Sequence, residues 1–230
     1  MTGWRWLWRA ALLLGAAVLV YQLWVFAHIW YWVSHNPAQS AFMERRLAVA
    51  QEKIPNAALR HQWVRYERIS NHLKRALIAA EDAKFLEHEG FDWEGIQTAY
   101  EKNLKKGRVV AGGSSISQQL AKNLFLSGER SLVRKAEETL ITLMLEATMS
   151  KRRIFEIYLN VIEWGDGVFG AEAAARHYFS TSAAALSAEQ AAWLAAIVTN
   201  PRYYDTHRAA RGAQRKADIL LTRMNAAQVP

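Results

Sequence analysis

The chain is predicted to be a mainly α-helical domain behind one N-terminal transmembrane helix. Three observations predict this. Residues 10–33 form a run without a formal charge. Beyond about residue 70 apolar residues recur at helical spacing, with helix starts marked by Ser115-x-x-Gln118 and Ser187-x-x-Gln190. No stretch of about four to eight residues alternates as a half-buried strand does. Hydrophobic residues make up 51% of the 230, yet mean hydropathy is only -0.13, so the apolar surplus is local.

The uncharged run holds 24 residues, more than the roughly 20 that a helix needs to cross the hydrocarbon core. Six of the ten tryptophans, Trp4, Trp6, Trp8, Trp24, Trp30 and Trp32, flank or end it, as in an interfacial aromatic belt. The run closes on Trp30-Tyr31-Trp32-Val33 rather than on a small-residue cleavage site, which points to an uncleaved anchor. Gln22 and His28 inside it are tolerated polar positions. Arg5 and Arg9 precede the span while Arg45, Arg46 and Lys53 follow it, so charge bias alone does not choose its orientation.

Pro37 disfavours helix in the residue before it, and residues 34–60 are expected to be a polar connector. The domain then occupies 61–230. Without Arg5 and Arg9, 27 basic residues stand against 21 acidic ones, a net charge of +6 that favours anionic lipid or a phosphate-bearing substrate. No recognition motif or basic run with interleaved aromatics argues for nucleic acid. There is no cysteine, hence no disulfide and no thiolate metal site.

From Ser70 the helical period places Glu81 one turn beyond Leu77 and Ile78, on the apolar face. Desolvation there would raise its pKa toward the range of a general base; the alternative is a salt-bridged helix-end carboxylate beside Asp82. His88 lies between Glu87 and Glu89, but no second histidine follows at zinc spacing, so hydrogen bonding to nearby carboxylates is the better reading. Gly112-Gly113-Ser114 opens a helix near Ser115 whose backbone amides form a natural anion site. Along it Ser115, Gln118, Gln119 and Lys122 share a polar, cationic arc beside Ile116, Leu120 and Leu124. No Gly-Lys-Ser/Thr follows, which excludes a nucleotide P-loop. Ser131 caps the next helix, where Glu138 shares a face with Ile141, Thr142 and Leu145 and sits one turn from Arg134. A carboxylate there is either paired or functional.

Four ordered motifs resemble those of the peptidoglycan glycosyltransferase family. They are Glu81-Asp82-x-x-Phe85-x-x-His88-x-Gly90, Gly113-Ser114-Ser115-Ile116-Ser117-Gln118-Gln119-x-x-Lys122-Asn123, Arg134-Lys135-x-x-Glu138, and Ile154-x-x-x-Tyr158-Leu159-Asn160. The likeness runs over residues 41–224, and with no transpeptidase domain it is closest to the monofunctional Gram-negative members.

The resemblance implies a lysozyme-like fold with a smaller membrane-contacting lobe near 91–110, where Lys102, Lys105, Lys106 and Arg108 would meet lipid headgroups. It implies residues 1–9 as a short cytoplasmic tail, an inner-membrane anchor and a periplasmic catalytic domain. Glu81 would be the catalytic base and Glu138 the second carboxylate. Ser114, Gln118, Gln119, Lys122, Asn123, Arg130 and Arg134 would bind substrate and its pyrophosphate, supported by Asp82, Phe85, His88, Gly113, Lys135 and Asn160. The substrate would be lipid II and the growing glycan strand, with a divalent cation, Mg or Mn, carried on the pyrophosphate near Glu138 and no organic cofactor. Membrane phospholipid and other cell-wall or division proteins are the further partners expected. Two departures stand out: Ser115 and Ser117 replace common threonines, and Glu137 stands where some members carry lysine.

Overall fold

A computed structural model describes residues 2–108, 112–126, 128 and 131–230. Arg130, expected at the pyrophosphate, lies outside the described residues. In chain order the elements are α1 (Thr2–Trp32), α2 (Ala41–Lys53), β1 (Arg60–His61), α3 (Asn71–Glu81), α4 (Trp93–Lys106), α5 (Ile116–Phe125) and α6 (Leu132–Thr148). There follow α7 (Lys151–Val161), β2 (Glu163–Gly165), β3 (Val168–Phe169), α8 (Ala171–Phe179), α9 (Ala188–Ile197), α10 (Pro201–Thr206) and α11 (Arg211–Arg223). The protein is mainly α, as its periodicity implied.

α1 is long and apolar enough to cross a membrane. Its 31 residues reach about 46 Å, well beyond a hydrocarbon core of roughly 30 Å. Residues 2–9, expected as a short cytoplasmic tail, are part of the same helix. Its C-terminal third is docked on the domain: Val25 and Ile29 are fully buried, and Trp24 and Trp32 pack on Phe125 with ring centroids 6.2 and 5.3 Å apart. Arg153 closes the helix end. Its Nε donates to the Trp32 carbonyl at 2.9 Å and its Nη2 to the His35 carbonyl at 2.6 Å, a cation where the helix dipole is negative.

The expected connector is not bare chain. It carries α2, capped by Ser40 and fastened by Arg46, whose Nη2 donates to Glu163 Oε2 at 3.0 Å. Of α2's residues only Met43 is fully buried, so the helix offers little apolar periodicity to detect.

Helix starts follow the local signatures. Ser115 and Gln118 close a capping box at α5, Ser187 and Gln190 another at α9, and Ser131 caps α6; each cap contributes about 1 kcal/mol. The core forms where α3, α9 and α11 pack together and where α5 lies between α6 and α7. Phe85, Phe155, Tyr158, Trp164 and Phe169 fill it. A three-stranded sheet, ordered β1-β3-β2, joins β1 parallel and β2 antiparallel to β3. Its strands are two or three residues long, too short for alternation to show in the sequence. Gly170, which leads into α8 at φ 81°, must lack a side chain: a Cβ would meet the Asn160 carbonyl oxygen at 2.6 Å.

Candidate active site

α3 ends at Glu81 with Leu77 and Ile78 buried beneath it. The carboxylate is almost wholly enclosed, and three groups hold it. Gln119 Nε2 of α5 donates to Glu81 Oε2 at 3.1 Å; the Tyr158 hydroxyl of α7 donates to Gln119 Oε1 at 3.0 Å and so fixes the amide; Lys216 Nζ of α11 lies 3.6 Å from Glu81 Oε1. Oε1 accepts no hydrogen bond. Burial pushes the Glu81 pKa upward, against Lys216 and the Gln119 hydrogen bond, which favour the charged form. A carboxylate of raised pKa is a better proton acceptor than an exposed one.

Asp82 turns the other way. Its Oδ2 accepts the Ile116 N–H at 3.0 Å, filling a free donor in the first turn of α5, and its Oδ1 accepts from His88 Nε2 at 2.9 Å. Asp82 therefore ties the end of α3 to the start of α5 and sets the spacing between Glu81 and Gln119. A cavity of about 220 Å³ opens here, lined by Glu81, Asp82, Asp92, Gly95 and the stretch 112–115. Gly113 admits α4 closely, since a Cβ would stand 3.0 Å from Ile96 Cα. A second cavity of about 230 Å³ is lined by Phe42, Gln119, Lys122, Asn123 and Glu163. Glu81 thus lines the first cavity, and Gln119, its hydrogen-bond donor, lines the second.

Cations gather at the start of α6. Arg134 Nη1 donates to Glu138 Oε2 at 2.7 Å, and Lys135 pairs with Glu138 Oε1. Glu138 is buried, and its charge opposes the desolvation that lowers the pKa of half-buried Lys122. Lys122, Arg134 and Lys135 therefore form one electrostatic group around Glu138.

Of the residues the sequence singled out, Glu81, Asp82, Gly113 and Ser114 line the first cavity, and Gln119, Lys122 and Asn123 line the second. Gln118 is spent differently. It is buried in the α5 capping box, its Oε1 accepting the Ser115 N–H, so it supports the helix start rather than facing the cleft. Phe85 belongs to the core. Asn160 clamps the chain near β1, accepting from the Val64 N–H at 2.9 Å and donating to the Val64 carbonyl at 3.0 Å. No group of three or more His, Cys, Asp or Glu able to hold a metal occurs among the described residues, and both Glu138 oxygens are engaged.

Two contributors escaped sequence reasoning. Tyr158 had been only a motif residue, and Lys216 lies on a distant helix. The latter did leave a signal: it shares the buried stripe of Ala213, Ala217 and Leu220, where a lysine is out of place unless paired. Lys216→Met should raise the Glu81 pKa further, because the ammonium favours the ionised carboxylate. We expect the acid limb of the rate profile to move to higher pH while thermal stability changes little; an unmoved limb would remove Lys216 from the site.

Near the cleft, Trp93, Tyr100 and Leu104 of α4 and Leu132 and Val133 of α6 are strongly exposed, with Lys102, Lys105, Lys106 and Arg108 on or beside α4. On α4, exposed apolar side chains stand beside cations, the pattern of a lipid-contacting patch.

Comparison with known proteins matches a family model described as transglycosylase to residues 48–225. The chain is 67% identical to the biosynthetic peptidoglycan transglycosylase of Methylobacillus flagellatus, over 97% of each sequence. It is 66% identical to the protein of that name from Laribacter hongkongensis, over 98% of this chain and 99% of the other. With the one from Thiobacillus denitrificans it shares 59% over 100% of this chain and 99% of the relative.

Proposed function

Since the chain belongs to the transglycosylase family and is a peptidoglycan glycosyltransferase of cell-wall synthesis, we propose that it polymerises lipid II into β-1,4 glycan strands, inverting the donor anomeric centre and releasing polyprenyl diphosphate. The observation that carries this reading is Glu81: an enclosed carboxylate of raised pKa, with one oxygen free of hydrogen bonds, lining one cavity and held by Gln119, which lines another.

In the proposed reaction Glu81 takes the proton of the acceptor 4-hydroxyl as that oxygen attacks the anomeric carbon. The bond from that carbon to the diphosphate oxygen breaks on the opposite face, which inverts the centre. A diphosphate leaves without protonation if its charge is met, so one base suffices and the second need is for cations. Lys122, Arg134 and Lys135 would meet it, a reading supported by the pairs through which Glu138 holds Arg134 and Lys135. A divalent cation, Mg or Mn, bound mainly by diphosphate oxygens with Glu138 as a protein carboxylate, would share this screening. Gln119, fixed by Tyr158, keeps the Glu81 carboxylate oriented.

Location follows the same reading: a single-pass inner-membrane protein with its catalytic domain in the periplasm. The patch on α4 and α6 would rest on the bilayer, its lysines at anionic headgroups. Lipid II then reaches the cleft without leaving the membrane.

The test is polymerisation. Full-length protein incubated with lipid II in detergent should yield muramidase-sensitive polymer and free polyprenyl diphosphate. Release of soluble fragments from purified sacculi, with lipid II left unconsumed, would instead make it a lytic enzyme.

A further inference from the structure

Among the described residues two carboxylate oxygens are buried without a hydrogen bond: Oε1 of Glu81 and Oε1 of Glu163. Glu163 opens β2, and its side chain is only 9% exposed. Its partner is Arg46 of α2. Nη2 donates to Oε2 at 3.0 Å, while Nε lies 3.0 Å from Oε1 without forming a hydrogen bond. The pair does not offset the burial, since desolvation pushes the Glu163 carboxyl upward against the Arg46 charge. Buried acceptors in folded proteins nearly always meet a donor, so a free one on a residue that lines a cavity marks a place for a ligand.

That cavity is the second one, and its other lining groups narrow what the ligand is. Lys122 lines it too, within reach of the charges of Glu138, Arg134 and Lys135, whereas Glu163 answers to Arg46, Arg202 and Asp166. The cation and the carboxylate of one cavity thus sit in separate electrostatic neighbourhoods. An anionic group cannot satisfy Glu163, because like charges repel. A neutral O–H or N–H can, carried on a molecule whose anionic part meets Lys122. A sugar diphosphate has this polarity, with hydroxyls and amide on the ring and its charge beyond the anomeric oxygen. Phe42, Val198 and Pro201 add apolar surface for the ring's C–H faces, and Gln119 and Asn123 add amides.

We infer that Glu163 recognises the donor sugar, accepting on Oε1 a hydrogen bond from a hydroxyl or amide N–H of the ring that carries the diphosphate. The inference rests on the function proposed above, which supplies the sugar diphosphate, and gives its ring a partner. Arg46, which does not line the cavity, holds the carboxylate from outside it. Gln119 lines the same cavity and also holds Glu81, so one amide joins the donor's place to the base.

The test measures binding by full-length Glu81→Gln, so that affinity is read without turnover. Two probes in detergent are compared: a short-chain lipid II analogue, and the matching polyprenyl diphosphate, which has no sugar. Adding Glu163→Met should weaken binding of the lipid II analogue about tenfold, as for one hydrogen bond to a charged group, and change binding of the bare diphosphate less than about twofold. Adding Arg46→Met instead breaks the same ion pair but keeps the acceptor oxygen. It should lower the melting temperature and weaken binding of the lipid II analogue less than about threefold. Equal losses for the two probes in the Glu163 variant, or equal losses of the lipid II analogue in the two variants, make Glu163 a fastener of α2 and overturn the inference. An unchanged affinity for the lipid II analogue overturns it as well. Wild type that binds lipid II without consuming it brings down the proposed reaction and leaves the recognition standing.

Discussion

Glu81→Gln is expected to abolish polymerisation while leaving the protein folded. The amide matches the carboxylate in shape and can keep a hydrogen bond with Gln119, but it cannot take a proton from the acceptor hydroxyl. Loss of a general base lowers turnover by about 10²- to 10⁴-fold. Stability should move the other way. Burial raises the Glu81 pKa, so between the ordinary carboxylate value and the raised one the folded state holds a proton that the unfolded state has lost. Folding stability from this group therefore falls as pH rises through that window, and at neutral pH the ionised carboxylate is a cost that the amide removes. We expect a melting temperature equal to or above wild type at pH 7, by calorimetry, beside a lost rate. In wild type, the rate should fall on acidification at a pH above the usual carboxylate range. A folded variant that still turns over within tenfold of wild type would end the assignment.

Glu138→Gln should be the second most damaging change, for a different reason. Its carboxylate is buried with Arg134 only partly exposed, so removing the anion leaves a guanidinium desolvated and uncompensated. Breaking such a pair costs about 3 kcal/mol, while the more exposed Lys135 adds little. The loss of order among the cations should lower the rate of the remaining folded protein by about 10²-fold, comparable with removing one preorganised charge-stabilising group. Melting and turnover must be measured together. A lowered melting point with normal turnover at reduced temperature would leave Glu138 as a structural ion pair and nothing more.

What could be read from the chain was what is local. Ser115, Ser131 and Ser187 mark their helices because a cap is a matter of three or four neighbouring residues. The lone anchor and the placement of Glu81 above Leu77 and Ile78 are likewise one-helix properties. Distant partnerships were hidden. α2 is secured by the Arg46–Glu163 ion pair across 117 positions, and Lys216 meets Glu81 only after α11 folds back. Glu81 and Asp82 are adjacent, yet one faces a cavity and the other holds α5, a division set by where α5 begins. Gln118 holds a further lesson. The Ser115-x-x-Gln118 signature sets the Gln118 Oε1 in a capping box, and the side chain lines neither cavity. The motif resemblance named the candidate residues, and the fold sorts them into those that line a cavity and those that hold others in place.

The Arg153 cap on α1 has a kinetic consequence. With the last turn of the anchor fastened to the domain by two hydrogen bonds and by buried Val25 and Ile29, the catalytic domain cannot swing on a tether. On the proposed function, with the precursor lipid-linked and α1 in the bilayer, enzyme and precursor would then meet by lateral diffusion in one plane, with a single remaining rotation about the bilayer normal. The concentration that governs encounter becomes a number of molecules per unit area of membrane. Diluting the precursor with inert lipid slows such a machine even when the amount in the vessel is unchanged.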